Sequence, residues 1–153
     1  MGRYGKDVSL EAELILELDV EIAQPMIVGQ TDKGYLKVIP ITGGTFCGQQ
    51  LKGEIVPGGA DWNTVMGVGP EDLEGIRQVF AKYTIRTQEG VYISVENEGW
   101  KAMDPVHATA IATVPKFECA DERYRWLNYG VYVGSLTPKQ GKDGVTLRFY
   151  RMK

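Results

Sequence analysis

Asp61 and Glu118 are the carboxylates whose settings invite chemistry, and Tyr83 and Lys82 are the groups best placed to assist them. General acid–base work needs two groups whose surroundings push their pKa values apart. Asp61 and Trp62 follow the turn-forming string Pro57-Gly58-Gly59. A carboxylate there has two readings. It faces the interior or mouth of the fold, where it binds a ligand or takes a proton, or it accepts backbone N–H groups in the turn while Trp62 packs. Lys82 and Tyr83 point to opposite sides of one strand, so only one of them faces inward. Tyr83 shares its face with Val79, Ala81 and Ile85, which puts its hydroxyl inside, bonded to a core partner or to a ligand. Glu118 follows Phe117 and lies just beyond Pro115. Pointing outward it is an ordinary surface residue. Pointing inward it needs a partner such as Arg86, Lys82 or Asn128, because an unpaired buried carboxylate takes up a proton.

Other chemistries are excluded by residue type and spacing. His107 is the single histidine and stands among Ala and Thr without a GxSxG string, which reads as a strand or loop residue and not as part of a triad. Cys47 and Cys119 form no CxxC pair, and one His with two distant thiols does not make a zinc site. The expectation is two free thiols in a reducing compartment, with a disulfide in a secreted form as the alternative. Gly43-Gly44 and Gly58-Gly59 precede no GK[ST], so they are not phosphate loops. A net charge of −3 speaks against nucleic acid as a partner. Met1–Asp7 lacks the apolar core of a signal peptide and reads as a flexible segment. No run approaches the ~20 apolar residues of a spanning helix. The expected location is cytoplasmic, with no membrane, metal or cofactor.

These groups need a scaffold, and the hydrophobic pattern supplies one. Leu10, Ala12, Leu14, Leu16, Leu18, Val20 and Ile22 are apolar at alternate positions, with mostly acidic residues between them. Leu, Glu and Ala favour helix, but a helix would scatter these residues around its circumference and bury charge, so a long strand is predicted. Strands are also predicted over 35–42, 45–47, 50–56, 61–66, 76–87, 91–97, 107–114, 128–136 and 145–152. Gly43-Gly44 reads as a bend or bulge, Pro57-Gly58-Gly59 as a turn, Glu89-Gly90 as a hairpin turn and 120–125 as one helical turn. Trp126, just after it, plugs one end of the core. About nine or ten strands in hairpin order, with internal glycines, point to a single all-β antiparallel barrel spanning the 153 residues. Residues 1–30 are mainly acidic and 121–153 mainly basic. If the end strands pair, Glu13, Glu17 or Asp19 faces Arg148 or Arg151.

From Gly43 onward a family resemblance appears. Ile39-Pro-Ile-Thr-Gly-Gly-Thr-Phe46 and Leu51-Lys-Gly-Glu-Ile-Val-Pro-Gly-Gly-Ala-Asp-Trp62 resemble the hallmark of the domain of unknown function 3237 family. Tyr83 and Arg86 in 81–87, Glu89-Gly90 with Ile93, Phe117-Glu118 and Trp126-Leu127-Asn128 continue it over about residues 10–152. The resemblance implies a calycin-like (lipocalin-like) β-barrel and adds weight to an inward Glu118, but implies little about activity. Leu36, Phe80, Lys82 and Ala112 depart from residues common in that family, which implies a more apolar ligand or loss of an ancestral activity.

The leading expectation is a barrel that binds an unknown small molecule. Asp61, Trp62, Tyr83, Glu118 and Asn128 are the candidate lining, and at least three of them should touch one pocket. The rival is a cofactor-free lyase, isomerase or hydrolase acting on a small carbonyl or aromatic compound, with Asp61 or Glu118 as base and Tyr83 or Lys82 as oxyanion donor. A third reading is a homodimer formed through an exposed sheet face.

Overall fold

Alternating side chains make strands, and the strands here close on themselves. The computed structural model describes residues 5–67, 75–102, 110–140 and 143–153. Its strands are β1 (Ala12–Ile22), β2 (Met26–Thr31), β3 (Gly34–Cys47), β4 (Lys52–Met66), β5 (Ile76–Thr87), β6 (Tyr92–Ala102), β7 (Ile111–Glu118), β8 (Tyr132–Pro138) and β9 (Gly144–Met152). From β3 to β9 each strand pairs antiparallel with the next. β9 then pairs with β1, and β1 with the second half of β3, which closes an eight-stranded barrel. β2 lies outside that ring, against the first half of β3. A 3₁₀ segment, Glu122–Asn128, separates β7 from β8 where one helical turn was expected. Among the described residues no helix is long and apolar enough to cross a membrane. His107 lies outside the described residues.

The end strands pair as their charges suggested. Glu13 faces Arg151 and Glu17 faces Arg148 in the β1–β9 register. The Arg148 Nε donates to Glu17 Oε2 at 2.9 Å, while Asp19 pairs instead with Lys139. In β1, Leu16, Leu18 and Val20 are buried but Leu14 is exposed, as is Leu10 just before the strand. The register shifts between Leu14 and Leu16, and the extra residue, Ile15, is the one that turns inward. A bulge adds one residue to one strand and so reverses the parity of everything before it.

Two glycine-rich strings bend the wall. The β3–β4 register is interrupted between Pro40 and Thr45, around Gly43-Gly44. A Cβ on Gly44 would sit 2.0 Å from the Asp19 carbonyl oxygen, and its φ of +131° is open to few residues with a side chain. Only glycine lets β1 approach β3 there. Pro57-Gly58-Gly59, expected as a turn between two strands, is a bulge inside the continuous β4, with the β4–β5 register shifting between Val56 and Ala60. The curvature of a closed sheet uses the same residues as a turn, and it here keeps the strand going. Similarly, β6 continues past Glu98-Gly99 to Ala102. Gly99 sits where a Cβ would meet the Ala112 carbonyl oxygen at 2.2 Å.

The core fills one end of the barrel. Leu16, Leu18, Ile85, Ile93, Val95 and Phe149 are all fully buried there. Phe117 meets Tyr132 and Phe149 edge-on, with ring centroids 5.2 and 5.7 Å apart. The 3₁₀ segment covers this end with Tyr124 and Leu127, and Trp126 packs against the core beside them.

Candidate functional site

The other end is hollow. A cavity of about 410 Å³ opens between the upper halves of β3 to β6 and the start of β9. Val20, Ile39, Ile41, Val79, Leu136 and Leu147 give it apolar walls, and Ala81 leaves space at its middle. Its polar groups come from strand parity. Asp61 is inward, so Asn63 two residues on is inward as well. Across the sheet, Ile39, Asp61, Ala81 and Asn97 occupy one rung, and Lys37, Asn63, Val79 and Gly99 the next. Arg77 lies opposite Lys101 one rung further toward the opening.

These groups form a connected set. Arg77 Nη1 donates to Asn63 Oδ1 at 2.6 Å, and Asn63 Nδ2 donates to Asp61 Oδ2 at 3.3 Å. The backbone N–H of Phe80 donates to Asp61 Oδ1 at 2.9 Å. Both sequence readings of Asp61 therefore meet in one place, since it lines the cavity and accepts a backbone N–H, though from β5 and not from its own turn. Burial pushes the Asp61 carboxyl above its usual range, against the opposing pull of Asn63, the Phe80 N–H and the charges of Arg77 and Lys37. Burial, and then the Arg77 charge, push the Lys37 ammonium down, with Asp61 opposing. Burial also pushes the Tyr83 phenol up, so it keeps its proton. Among the described residues, the Tyr83 Oη and Asn97 Oδ1 atoms are buried with no hydrogen-bond partner.

Of the five expected lining residues, the cavity touches two, Asp61 and Tyr83. The expected minimum of three is missed by one, since Trp62, Glu118 and Asn128 do not reach it. Trp62 is 46 % exposed on the outer wall, because it follows an inward Asp61 on the same strand. Glu118 is exposed near the 3₁₀ segment, outside the cavity, so it does not form an acid–base pair with Asp61. Asn128 closes a loop: its Nδ2 donates to the Cys119 carbonyl at 2.8 Å and its Oδ1 accepts from the Cys119 N–H at 2.7 Å. Lys82 points outward and pairs with Glu96 at 3.3 Å. Leu36, Phe80 and Ala112 likewise do not line the cavity, so their departures from the family pattern bear on the outer wall. Cys47 is exposed and Cys119 buried, both as free thiols.

Lys37, Asn63, Arg77, Asn97 and Lys101 were missed from the sequence. The signal for Asn63 and Arg77 was present, since each keeps even spacing from an inward residue, Asp61 or Tyr83. Asn97 was also within reach, at even spacing from Ile93 and Val95, whereas Lys101 was hidden by ending β6 at Asn97.

A sequence profile of the family described as protein of unknown function, DUF3237, matches residues 10–152. A UPF0311 protein of Bradyrhizobium diazoefficiens is 32 % identical over 140 residues, covering 83 % of this chain and 88 % of that protein. A UPF0311 protein of Clostridium acetobutylicum is 27 % identical over 156 residues, 92 % of each. The crystal structure of a β-barrel-like protein from Acinetobacter baumannii superposes with a TM-score of 0.81 at 28 % identity, covering 97 % of this chain and 99 % of that one.

Proposed function

This chain belongs to the DUF3237 family, and we propose that the hollow end of its barrel binds a small molecule with an apolar body and a polar group that reaches Tyr83 and Asn97. The two unpartnered buried atoms carry this reading. A buried polar atom without a partner costs roughly 1–3 kcal/mol, and two residues whose polar atoms find none within the protein line one cavity. A ligand supplies what the fold withholds. Asn97 Oδ1 accepts only, so the group that meets it is an O–H or N–H donor. The volume falls in the ordinary range for small-molecule sites, and the walls are mainly apolar.

Titration with phenylnaphthylamine, a neutral apolar fluorophore, tests the reading. Saturable enhancement is expected, lost in Ala81→Phe, whose ring fills the centre of the cavity. No saturable uptake by the native protein, or equal uptake by a folded Ala81→Phe variant, contradicts it.

One observation favours a second reading, in which the cavity also performs chemistry. Asp61 is a buried carboxylate with its pKa raised, in the same cavity as a protonated phenol. Asp61 would take a proton from carbon next to a bound carbonyl, the electron pair moving onto the carbonyl oxygen, which Tyr83 or Lys37 stabilises. Solvent deuterium should then enter such a ketone, and Asp61→Asn should stop that exchange while still binding phenylnaphthylamine. Equal exchange by Asp61→Asn would end this reading.

A further inference from the structure

The cavity's outer rung holds a pairing that costs stability in the empty protein. Arg77 and Lys101 stand directly opposite each other on neighbouring strands. Like charges in that position repel. Lys37 lines the same opening and is linked to Arg77 through Asn63, its own register partner. Among the described residues none of the three is ion-paired. The remaining lysine of the lining, Lys139, is engaged by Asp19. Two carboxylates line the cavity, Asp61 and Asp143. Asp61 is held by Asn63 and the Phe80 N–H. Among the described residues, the lining's cations without an ion pair thus exceed its carboxylates by one.

We propose that the ligand is a monoanion, a carboxylate on an apolar body, held at the open end between Lys37, Arg77 and Lys101. The proposal rests on the small-molecule reading above and names the ligand's charge. One negative charge neutralises the excess, whereas a dianion such as a phosphate monoester overshoots it. The planar Arg77 guanidinium also matches a carboxylate, to which it offers two parallel N–H groups. An anion between Arg77 and Lys101 turns their repulsion into attraction. Burial first, and then the Arg77 charge, lower the pKa of the Lys37 ammonium, and the second of these reflects the two cations' closeness. Along β6, Lys101 lies four residues from Asn97, ~13 Å at ordinary strand rise. The apolar body fits between a charged outer group and a neutral inner one.

Two fluorophores of the same skeleton separate the proposal from its premise. Anilinonaphthalene sulfonate is phenylnaphthylamine with one added monoanionic group. The native protein should bind the sulfonate about tenfold more tightly than the neutral probe. Arg77→Gln and Lys37→Met, which remove the charge and keep most of the side-chain stem, should each weaken the sulfonate by about five- to tenfold and leave the neutral probe within about twofold. Naphthoate should displace the sulfonate at lower concentration than naphthyl phosphate. Equal affinity for the two probes, variants that weaken both alike, or a naphthyl phosphate that competes better than naphthoate would each overturn the proposal while leaving the cavity reading intact. Uptake of neither probe would remove both.

Discussion

The two ends of this barrel are built from the same strands and answer burial in opposite ways. At the covered end, β5 and β6 present Ile85, Ile93 and Val95, and β9 presents Phe149, all fully buried members of one core cluster. Polar atoms there find partners inside the protein. The Tyr132 hydroxyl lies 2.9 Å from the Trp126 carbonyl and 3.1 Å from that of Tyr129, and Asn128 is used in full by Cys119. Two buried atoms outside the cavity lining are exceptions: Thr113 Oγ1, beside Gly134, and Trp126 Nε1, with the Arg151 guanidinium 5.3 Å over the Trp126 ring. A few residues along the same strands, at the open end, Ala81 fills little volume, and Asn97 and Tyr83, whose polar atoms have no partner within the protein, line the cavity. The difference teaches where to look in a barrel of unknown activity. Close packing marks the end that holds the fold together, and missing volume with unanswered polar atoms marks the end that receives something.

The largest contrast should come from truncation. Phe149→Ala at the packed end should cost about 3–5 kcal/mol of unfolding free energy. Val79→Ala beside the cavity should cost about 1.5 kcal/mol, near the transfer term alone, because the space it vacates joins a void already present. Urea midpoints measure both, and equal losses would mean that the open end packs as tightly as the other. Next, Gly44→Ala should destabilise by roughly 2 kcal/mol, since the added methyl group meets the Asp19 carbonyl and the residue keeps a positive φ. A loss confined to the β1–β3 amides in hydrogen exchange would locate that effect at the seam.

A smaller effect should depend on pH. Burial raises the folded-state pKa of Asp61 above its unfolded value, so the native state binds that proton more tightly. Its contribution to stability is fully present below the unfolded pKa and is lost as pH rises through the raised folded value. Asp61→Asn, which keeps an acceptor for the Phe80 N–H, should therefore gain on the native protein as pH rises from 4 toward 7. A difference that is flat over that range, or that runs the other way, would show the carboxylate to be solvated. The smallest effect belongs to the outer wall. Glu17→Gln removes an exposed partner of Arg148 and should change stability by no more than about 0.5 kcal/mol.

Much of this was legible in the sequence, for definite reasons. Acidic residues between the apolar ones of β1 and basic residues in β9 announced that the two strands are neighbours, because facing charges of opposite sign leave a trace in both. Tyr83 was placed inside by the company it keeps at Val79, Ala81 and Ile85. Leu14 was misplaced, because a one-residue bulge is invisible to a period-two pattern and reverses the faces before it. Asp61 and Trp62 could not both face inward along a regular strand, and treating Pro57-Gly58-Gly59 as a turn concealed that conflict. The cationic opening was out of reach for another reason. Lys37, Arg77 and Lys101 come from three strands, and only the register brings them to one rim.

The unanswered hydroxyl at the hollow end can be read directly against its satisfied counterpart. Urea unfolding of Tyr83→Phe and Tyr132→Phe, side by side and without added ligand, makes that comparison with one atom removed from each end. Tyr132→Phe should lose about 1 kcal/mol, the ordinary worth of a hydrogen bond, and Tyr83→Phe should equal or exceed the native protein in stability. A Tyr83→Phe variant that loses as much as Tyr132→Phe would show its hydroxyl already bonded within the empty barrel, and the case for a ligand waiting to be met there would fail.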